Sequence, residues 1–323
     1  MRIKLSNPRG FCAGVRMAID IVDQILDSLP EKEPLYVYHE IVHNHHVVTR
    51  LRERGAIFVE RISDIPNHSV VVFSAHGVSP AVKKEAQDRS LTCIDATCPL
   101  VMKVHSEAIR YAKRGWQIIL IGHRNHQEVA GTQGEAPDSI QIIESPIDIE
   151  TLQINDPSKL VYLTQTTLST DDAEIIIQAL RDVFPEIHAP PTDDICYATT
   201  NRQISVRKDA PDTNLVLVVG SNNSSNSLRL TEIAKTAGTP SYLVDDVSKI
   251  DPNWLQGIDD ILITAGASAP EHLVKEIVHY LLDNYDGELV EDSNVDECMS
   301  FSLPVSLINF LDNVEISVEG KKN

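Results

Sequence analysis

The sequence predicts an α/β protein built on parallel sheets, and two patterns indicate this class. Short runs of β-branched and aliphatic residues recur along the chain, as expected of parallel strands that are buried on both faces. Between these runs, apolar residues recur at the spacing of amphipathic helices, so helices are expected on both faces of the sheets. The clearest strand candidates are residues 70–73, 117–121, 160–163, 215–219 and 261–263.

A weak repeat in the layout of the chain predicts three small αβα units. Cys12, Cys98 and Cys196 each stand just before a helical pattern, about one such unit apart. Polar residues end the strands of every unit, and parallel sheets bind ligands at the carboxyl ends of their strands, so the three units are expected to converge on a central site. The expected boundaries are residues 1–97, 98–194 and 195–282, followed by an acidic tail at 283–323.

The composition limits the classes of function. Of the 323 residues, 42% are hydrophobic, which is enough for a buried core. No run approaches the roughly 18 apolar residues of a membrane-spanning helix. The net charge of −19 opposes binding to nucleic acid or anionic lipid, so neither is an expected partner. Five scattered cysteines and the lack of a leader-like start predict reduced thiols and a cytoplasmic location. The tail is expected to be a solvated acidic surface.

Three of the cysteines are candidate metal ligands. Pro99 favours a helix that starts directly after Cys98, where free backbone N–H groups are expected to lower the pKa of the thiol. Three thiolates suit either tetrahedral zinc or an iron-sulfur cluster with one open iron, and their wide spacing does not choose between these metals. Cys93 and Cys298 do not precede a helical pattern, so ordinary packing is expected for them.

Polar loops predict a phosphate-binding site next to the metal. Histidine-rich loops surround His43, His76 and His126, and loops rich in Ser and Asn take the corresponding places in the third unit. Ser and Asn are poor ligands for soft metals but good hydrogen-bond donors to phosphate, so we interpret the set as a diphosphate site. The candidates in the third unit are Ser224, Ser225, Asn226 and Ser268.

Glu128 is the one carboxylate in its histidine-rich loop, two residues after His126. In an extended loop these two side chains would point the same way. A buried carboxyl group near metal and phosphate is suited to hold and deliver a proton.

Seven segments, found in order along the chain, carry a resemblance to a known family. They read NPRGFCAGV (7–15), VHN (42–44), SAHGV (74–78), DATCP (95–99), TQTTLS (164–169), CYATTNRQ (196–203) and SSNS (224–227). Together they closely resemble 4-hydroxy-3-methylbut-2-enyl diphosphate reductase, the last enzyme of the methylerythritol phosphate route to isoprenoids. The resemblance runs from Pro8 to about Ser268 and does not extend to the tail.

The resemblance implies a pseudo-three-fold trefoil of the three αβα units around a [4Fe-4S] cluster. Cys12, Cys98 and Cys196 would hold this cluster, and the substrate's allylic hydroxyl would bind the fourth iron, which has no protein ligand. Glu128 and Thr166 would orient the hydroxyl and supply protons, with His126 beside them. The implied substrate-binding residues are His43, His76, His126, Thr166, Ser224, Ser225, Asn226 and Ser268.

The implied reaction removes the allylic hydroxyl with two electrons and two protons. It gives isopentenyl and dimethylallyl diphosphates plus water. No Gly-x-Gly-x-x-Gly fingerprint for NADPH is present, so ferredoxin or flavodoxin is the expected electron donor. Such donors are usually acidic, and a local basic patch around Arg50, Arg52 and Arg54 is therefore the expected docking surface.

Two other functions compete with this interpretation. A redox-neutral iron-sulfur hydro-lyase would also place a substrate hydroxyl on an open iron, and it would turn over without a reductant. An iron-sulfur sensor that binds nucleic acid would need a basic stripe or a helix-turn-helix pattern, and the sequence shows neither.

Overall fold

The structure, a computed structural model, describes residues 1–30, 33–290 and 297–319, and the side chains of the last range up to residue 314. The strands are β1 (Arg2–Leu5), β2 (Leu35–Tyr38), β3 (Ala56–Val59), β4 (Val70–Phe73), β5 (Thr92–Asp95), β6 (Gln117–Ile121), β7 (Ile140–Ile143), β8 (Leu160–Thr164), β9 (Leu215–Val219), β10 (Ser241–Val244), β11 (Asp260–Ala265) and β12 (Glu288–Val290). The helices are α1 (Ala13–Ser28), α2 (His45–Glu53), α3 (Pro80–Asp88), α4 (Pro99–Lys113), α5 (Gln127–Glu135), α6 (Thr170–Val183), α7 (Tyr197–Asp209), α8 (Ser225–Thr236), α9 (Glu271–Asn284) and α10 (Val305–Glu319). Within these ranges, every helix is too short or too polar to span a lipid bilayer.

Three separate sheets carry the strands. Their strand orders are β3-β2-β4-β5, β7-β6-β8 and β10-β9-β11-β1-β12. Every pair of neighbouring strands runs parallel, so all carboxyl ends within a sheet lie at one edge. The loops that follow the strands, where the candidate residues were predicted, therefore gather at these edges.

The first strand does not lie where the sequence-based boundaries place it. Residues 1–97 were predicted to form the first unit, but β1 pairs with β11 and β12 in the third sheet. Pairing between distant strands depends on tertiary packing, so the order of residues along the chain does not reveal it. The loop that carries Cys12 consequently runs from the third sheet to α1, whose apolar face packs with the first sheet.

The strand cores explain the apolar runs in the sequence. All five residues of β9 are buried, because this strand lies between two neighbours and is covered by helices on both faces. The helix α9 packs one apolar stripe against this sheet, formed by Leu273, Val274, Ile277, Val278 and Leu281.

Each of three helices begins directly after a cysteine. Cys12, Cys98 and Cys196 are the N-cap residues of α1, α4 and α7, as the sequence predicted. Pro99 occupies the first turn of α4, where its missing N–H leaves no hydrogen bond unmade.

The C-terminal residues are not simply a solvated surface, as was expected from their charge. Leu307 is fully buried, and Phe301, Leu303, Phe310 and Leu311 pack against the hydrophobic core that α1 shares with the first sheet. The many acidic residues of the tail made its composition look solvent-exposed. Burial of a few large apolar side chains is nevertheless enough to pack this segment on the core.

Candidate active site

One cavity brings together candidate residues from all three sheets. It is lined by the three N-cap cysteines and by polar side chains that the sequence singled out. These polar residues are His43, His76, His126, Glu128, Thr166, Ser224, Ser225, Asn226 and Ser268. Apolar side chains, among them Val15, Val42 and Val101, complete the wall.

The cysteine loops approach each other closely. A Cβ atom added at Gly14, two residues after Cys12, would lie only 2.6 Å from the Sγ of Cys98. A larger residue at this position would therefore displace the thiol, so the approach requires glycine. Cys196 lines the same cavity, and its Sγ accepts a hydrogen bond from the backbone N–H of Thr199 at 3.4 Å.

The prediction of a depressed pKa at the start of α4 is wrong for the protein alone. Burial raises the pKa of the Cys98 thiol to about 12, although the backbone N–H groups of the helix oppose the rise. Burial likewise raises the pKa of Cys196 to about 11, and the nearby Cys12 thiol adds to it. Low polarity outweighs the helix terminus here, so these thiols need a cationic group beside them to ionise.

Three histidines form a cluster on one side of the cavity. The rings of His43 and His76 stack with centroids 4.0 Å apart, and the ring of His126 meets them edge-on at 5.4 and 5.9 Å. Burial, together with the neighbouring histidines, lowers the pKa of His76 well below its ordinary value and that of His126 to about 3. His76 and His126 therefore lose their protons easily, and an anion bound beside them would raise these two pKa values.

The third sheet contributes further hydrogen-bonding groups to the same cavity. Ser224 caps α8 by accepting from the backbone N–H of Ser227, and Ser268 donates to the backbone carbonyl of His43 at 2.9 Å. Ser225 donates to the backbone carbonyl of Thr167 at 3.2 Å.

Asn226 is the exception in this set. Its side chain is 4% exposed, yet neither Oδ1 nor Nδ2 has a hydrogen-bond partner among the described residues. Because a buried amide without partners is costly, this side chain points to a polar ligand in the cavity.

Glu128 is held by two hydrogen bonds from one residue. The backbone N–H of Thr166 donates to Oε1 at 2.6 Å, and the Thr166 hydroxyl donates to Oε2 at 2.9 Å. Burial raises the pKa of Glu128 to about 7, although both hydrogen bonds from Thr166 lower it.

The predicted local structure at Glu128 is wrong. Glu128 lies in the first turn of α5 rather than in an extended loop, and His126 is the N-cap residue whose Nδ1 accepts from the Glu128 backbone N–H. The helix turn nevertheless directs both side chains to the cavity wall.

The predicted basic patch is largely neutralised. Arg50 pairs with Asp23 at 2.8 Å, and Arg54 pairs with both Asp23 and Asp27. The Arg52 guanidinium lies over the Phe58 ring, 5.2 Å from its centroid. The acidic partners are on α1, an element distant in sequence, so the local run of arginines did not reveal them.

A family model supplies the identification. The model described as LytB protein matches residues 3–282, which is most of the chain. The chain belongs to the LytB family.

Relatives and solved structures of LytB proteins agree with this assignment. A 4-hydroxy-3-methylbut-2-enyl diphosphate reductase from Idiomarina loihiensis is 52% identical over 310 residues, covering 95% of this chain and 98% of that relative. A reductase of the same name from Chromohalobacter salexigens is 52% identical over 311 residues, with the same two coverages. The family resemblance drawn from the seven motifs is therefore confirmed.

The fold is also that of a solved LytB relative. The structure of the E-1-hydroxy-2-methyl-but-2-enyl-4-diphosphate reductase from Plasmodium falciparum superimposes with a TM-score of 0.90 at 39% identity. It covers 97% of this chain and 98% of that chain, which confirms the predicted α/β class. A second solved structure, of an (E)-4-hydroxy-3-methyl-but-2-enyl diphosphate reductase, has a TM-score of 0.62 at 27% identity and covers 87% of this chain and 99% of that chain.

Two residues that contact this site were not singled out from the sequence. Glu40 lies 3.4 Å from His43 Nδ1 and accepts from Asn223 Nδ2 at 2.6 Å, so it joins the first and third sheets. Arg202 is fully buried beside the Cys12 and Cys196 loops. The CYATTNRQ segment, which contains Arg202, was the sequence feature that could have singled it out.

Proposed function

We propose that this chain removes the hydroxyl group of 4-hydroxy-3-methylbut-2-enyl diphosphate by reduction, the reaction for which its relatives are named. The enzyme is an oxidoreductase. The allylic C–O bond breaks with two electrons and two protons: one proton leaves with the oxygen as water, and the other joins the carbon skeleton. The products are isopentenyl and dimethylallyl diphosphates. The observation that carries the proposal is the single cavity that joins three cysteines, three histidines and Glu128.

Cys12, Cys98 and Cys196 are the proposed ligands of a [4Fe-4S] cluster. All three line the cavity. Three thiolates without a fourth protein ligand are the donor set of an iron-sulfur cluster that keeps one open iron. When bound, the cluster supplies the electrons and a Lewis-acidic iron without a protein ligand.

The diphosphate is proposed to lie between the histidine cluster and the polar side chains of the third sheet. His76 and His126 become stronger donors to phosphate oxygens once an anion raises their pKa values, and His43 lies beside them in the same cluster. Asn226 Nδ2 is a free donor aimed at the same space. Ser224, Ser225 and Ser268 provide further hydroxyl groups on the cavity wall.

Glu128 and Thr166 are proposed to bind the hydroxyl end of the substrate and to supply a proton. A carboxyl group with a pKa of about 7 is partly protonated at neutral pH, which suits a general acid. Thr166 fixes both carboxylate oxygens, and its own backbone carbonyl accepts from the Cys196 N–H at 3.0 Å. The proton donor is thereby held in a fixed position relative to one of the cysteine ligands. His126, next to this pair, is proposed to assist the proton transfer.

A small electron-transfer protein, ferredoxin or flavodoxin, is the proposed source of electrons. Since Arg50 and Arg54 are paired with Asp23 and Asp27, we do not place its docking surface there. Cysteines must be reduced to bind an iron-sulfur cluster, and thiols stay reduced in the cytoplasm, so the proposed location is cytoplasmic.

An anaerobic assay tests the function. The chain reconstituted with iron and sulfide, a strong one-electron donor and the hydroxylated allylic diphosphate should yield both isoprenoid diphosphates, with two electrons consumed per product. No product should form when the donor is left out. Turnover without the donor would identify a hydro-lyase and overturn the proposal.

A further inference from the structure

Arg202, on α7, links the start of that helix, which follows Cys196, to the loop that carries Cys12. Its guanidinium donates to the backbone carbonyl of Gly10 at 2.7 Å and to that of Ala198 at 2.9 Å. Gly10 is two residues before Cys12, and Ala198 is two residues after Cys196. A second contact joins the same two segments, since the backbone N–H of Ala13 donates to the Tyr197 hydroxyl at 3.2 Å.

The charge of Arg202 is balanced by the C-terminal segment. Glu297 accepts from Arg202 through both carboxylate oxygens, at 3.2 and 3.1 Å, and from Asn201 Nδ2 at 3.1 Å. The Arg202 side chain is 0% exposed and that of Glu297 is 14% exposed, so the pair is shielded from water. Breaking such a pair costs far more free energy than breaking a surface ion pair, because it leaves a buried charge without its partner.

Four residues beyond Glu297, Phe301 of the same segment lies near the Cys98 thiol. A Cβ atom at Gly14 would lie 3.9 Å from Phe301 and 2.6 Å from the Cys98 thiol, so Phe301 stands behind the place where α1 meets that thiol. Phe301 and Leu303 pack on the core of the first sheet, and the fully buried Leu307 anchors the segment there.

We propose that residues 297–311 form a C-terminal clamp that holds the Cys12 loop and the start of α7 in register through Glu297 and shields the Cys98 thiol through Phe301. The clamp lies outside residues 3–282, the part of the chain that the LytB family model matches. Arg202 and Glu297 are positioning residues, because they act on the cysteines through the backbone of the loops. The role of the clamp in the enzyme rests on the proposed cluster site. Its effect on access to the thiols does not, because it can be measured in the protein without the cluster.

Two measurements on the full-length chain test the clamp. In the protein with its cluster, the loss of visible absorbance to an iron chelator is followed under anaerobic conditions. In the protein without its cluster, the rate at which a maleimide labels each cysteine is read by peptide mass spectrometry. Glu297→Ala should accelerate cluster loss and the labelling of Cys12 and Cys196 by about 10-fold or more, since a buried charge loses its partner. The absorbance spectrum of the intact cluster should not change.

Matched variants separate the clamp from general instability. Glu297→Gln keeps an oxygen acceptor for Arg202 and should give intermediate rates. The matched control is Asp171→Asn. Asp171, on α6, is largely exposed and lies 2.8 Å from Arg207, which is on α7 like Arg202. This variant should leave all rates within about twofold of the parent. Phe301→Ala, which leaves the Arg202 pair in place, should accelerate labelling most at Cys98. Cys93, in β5, serves as an internal reference and should label at the parent rate in every variant.

The outcomes distinguish the clamp from the proposed function. If Glu297→Ala labels and loses its cluster at the parent rates, or if Cys93 accelerates as much as Cys12 and Cys196, the clamp is wrong and the function stands. If labelling accelerates as expected but even the parent chain takes up no cluster, the clamp stands and the proposed cluster site falls.

Discussion

Thr166 holds both oxygens of the Glu128 carboxylate, one through its backbone N–H at 2.6 Å and the other through its hydroxyl at 2.9 Å. Two donors to a carboxylate normally lower its pKa, yet the pKa of Glu128 is raised to about 7 because the side chain is almost fully buried. The pair therefore fixes the position of the carboxyl group while burial keeps a proton available near neutral pH. This combination is what a general acid requires.

Replacing Glu128 with Gln should abolish proton delivery without emptying the site. Gln keeps the shape and one oxygen acceptor for Thr166 but has no acidic proton, so kcat should fall by about 10²- to 10⁴-fold, the usual contribution of a general acid. The cluster absorbance and the Kd for substrate should stay near the parent values. Steady-state kinetics with a strong electron donor measures the first effect, and Glu150→Gln, at an exposed position, is the control. Turnover at the parent rate would assign the proton to another source.

The strands, and the gathering of the candidate residues around one cavity, were largely predictable, because they depend on local pattern. The buried apolar runs became β4, β6, β8, β9 and β11. The three N-cap cysteines and the polar loop residues all line one cavity, since loops after parallel strands open at the same edge of a sheet.

Long-range packing decided what the sequence could not predict. The pairing of β1 with β11 joins residues that lie far apart in the chain. The raised pKa of Cys98 follows from burial by distant elements, which outweighs the local effect of the helix start. The acidic partners of Arg50 and Arg54 likewise lie on another helix, α1, so the sequence did not show that these charges are paired.

The cysteines should fall into two classes when each is replaced by Ser. Cys12→Ser, Cys98→Ser and Cys196→Ser should lose the visible absorbance of the cluster, because these thiols line the cavity. Cys93→Ser and Cys298→Ser should keep it, since Cys93 lies in β5 and Cys298 is exposed beside a different cavity. Anaerobic purification followed by iron and sulfide analysis measures the difference. Equal loss in all five variants would contradict the assignment of the ligands.

Binding of pyrophosphate should draw protons onto the histidine cluster. In the free protein the pKa values of His76 and His126 lie below the ordinary value, so both rings are neutral at pH 7. A bound anion favours the charged form and raises these pKa values, so protons are taken up on binding and the affinity rises as the pH falls toward 6. Calorimetry in buffers of different ionisation enthalpy counts these protons.

The control for proton uptake is His126→Asn, which keeps a hydrogen-bonding side chain without a titrating ring. It should take up fewer protons than the parent. Equal uptake in both proteins, or release of protons, would show that the anion does not contact this cluster.

Asn226→Ala should weaken binding of the diphosphate without weakening the fold. The amide makes no hydrogen bond in the described protein, so its removal leaves no partner unsatisfied and the free energy of unfolding should be unchanged or slightly higher. A hydrogen bond to a charged group contributes about 1.5–3 kcal/mol, so the Kd for substrate and for free pyrophosphate should rise by about 10- to 100-fold. The exposed Asn222→Ala on the same loop should change neither quantity.

Calorimetry on the protein with its cluster gives the Kd of parent and Asn226→Ala, and urea denaturation of the protein without its cluster gives their free energy of unfolding. The alcohol that lacks the diphosphate should bind far more weakly than the substrate to the parent, and equally to parent and variant, because Asn226 would have no phosphate oxygen to contact. A variant that is destabilised yet binds the diphosphate at the parent affinity would make Asn226 a structural residue and remove it from the site.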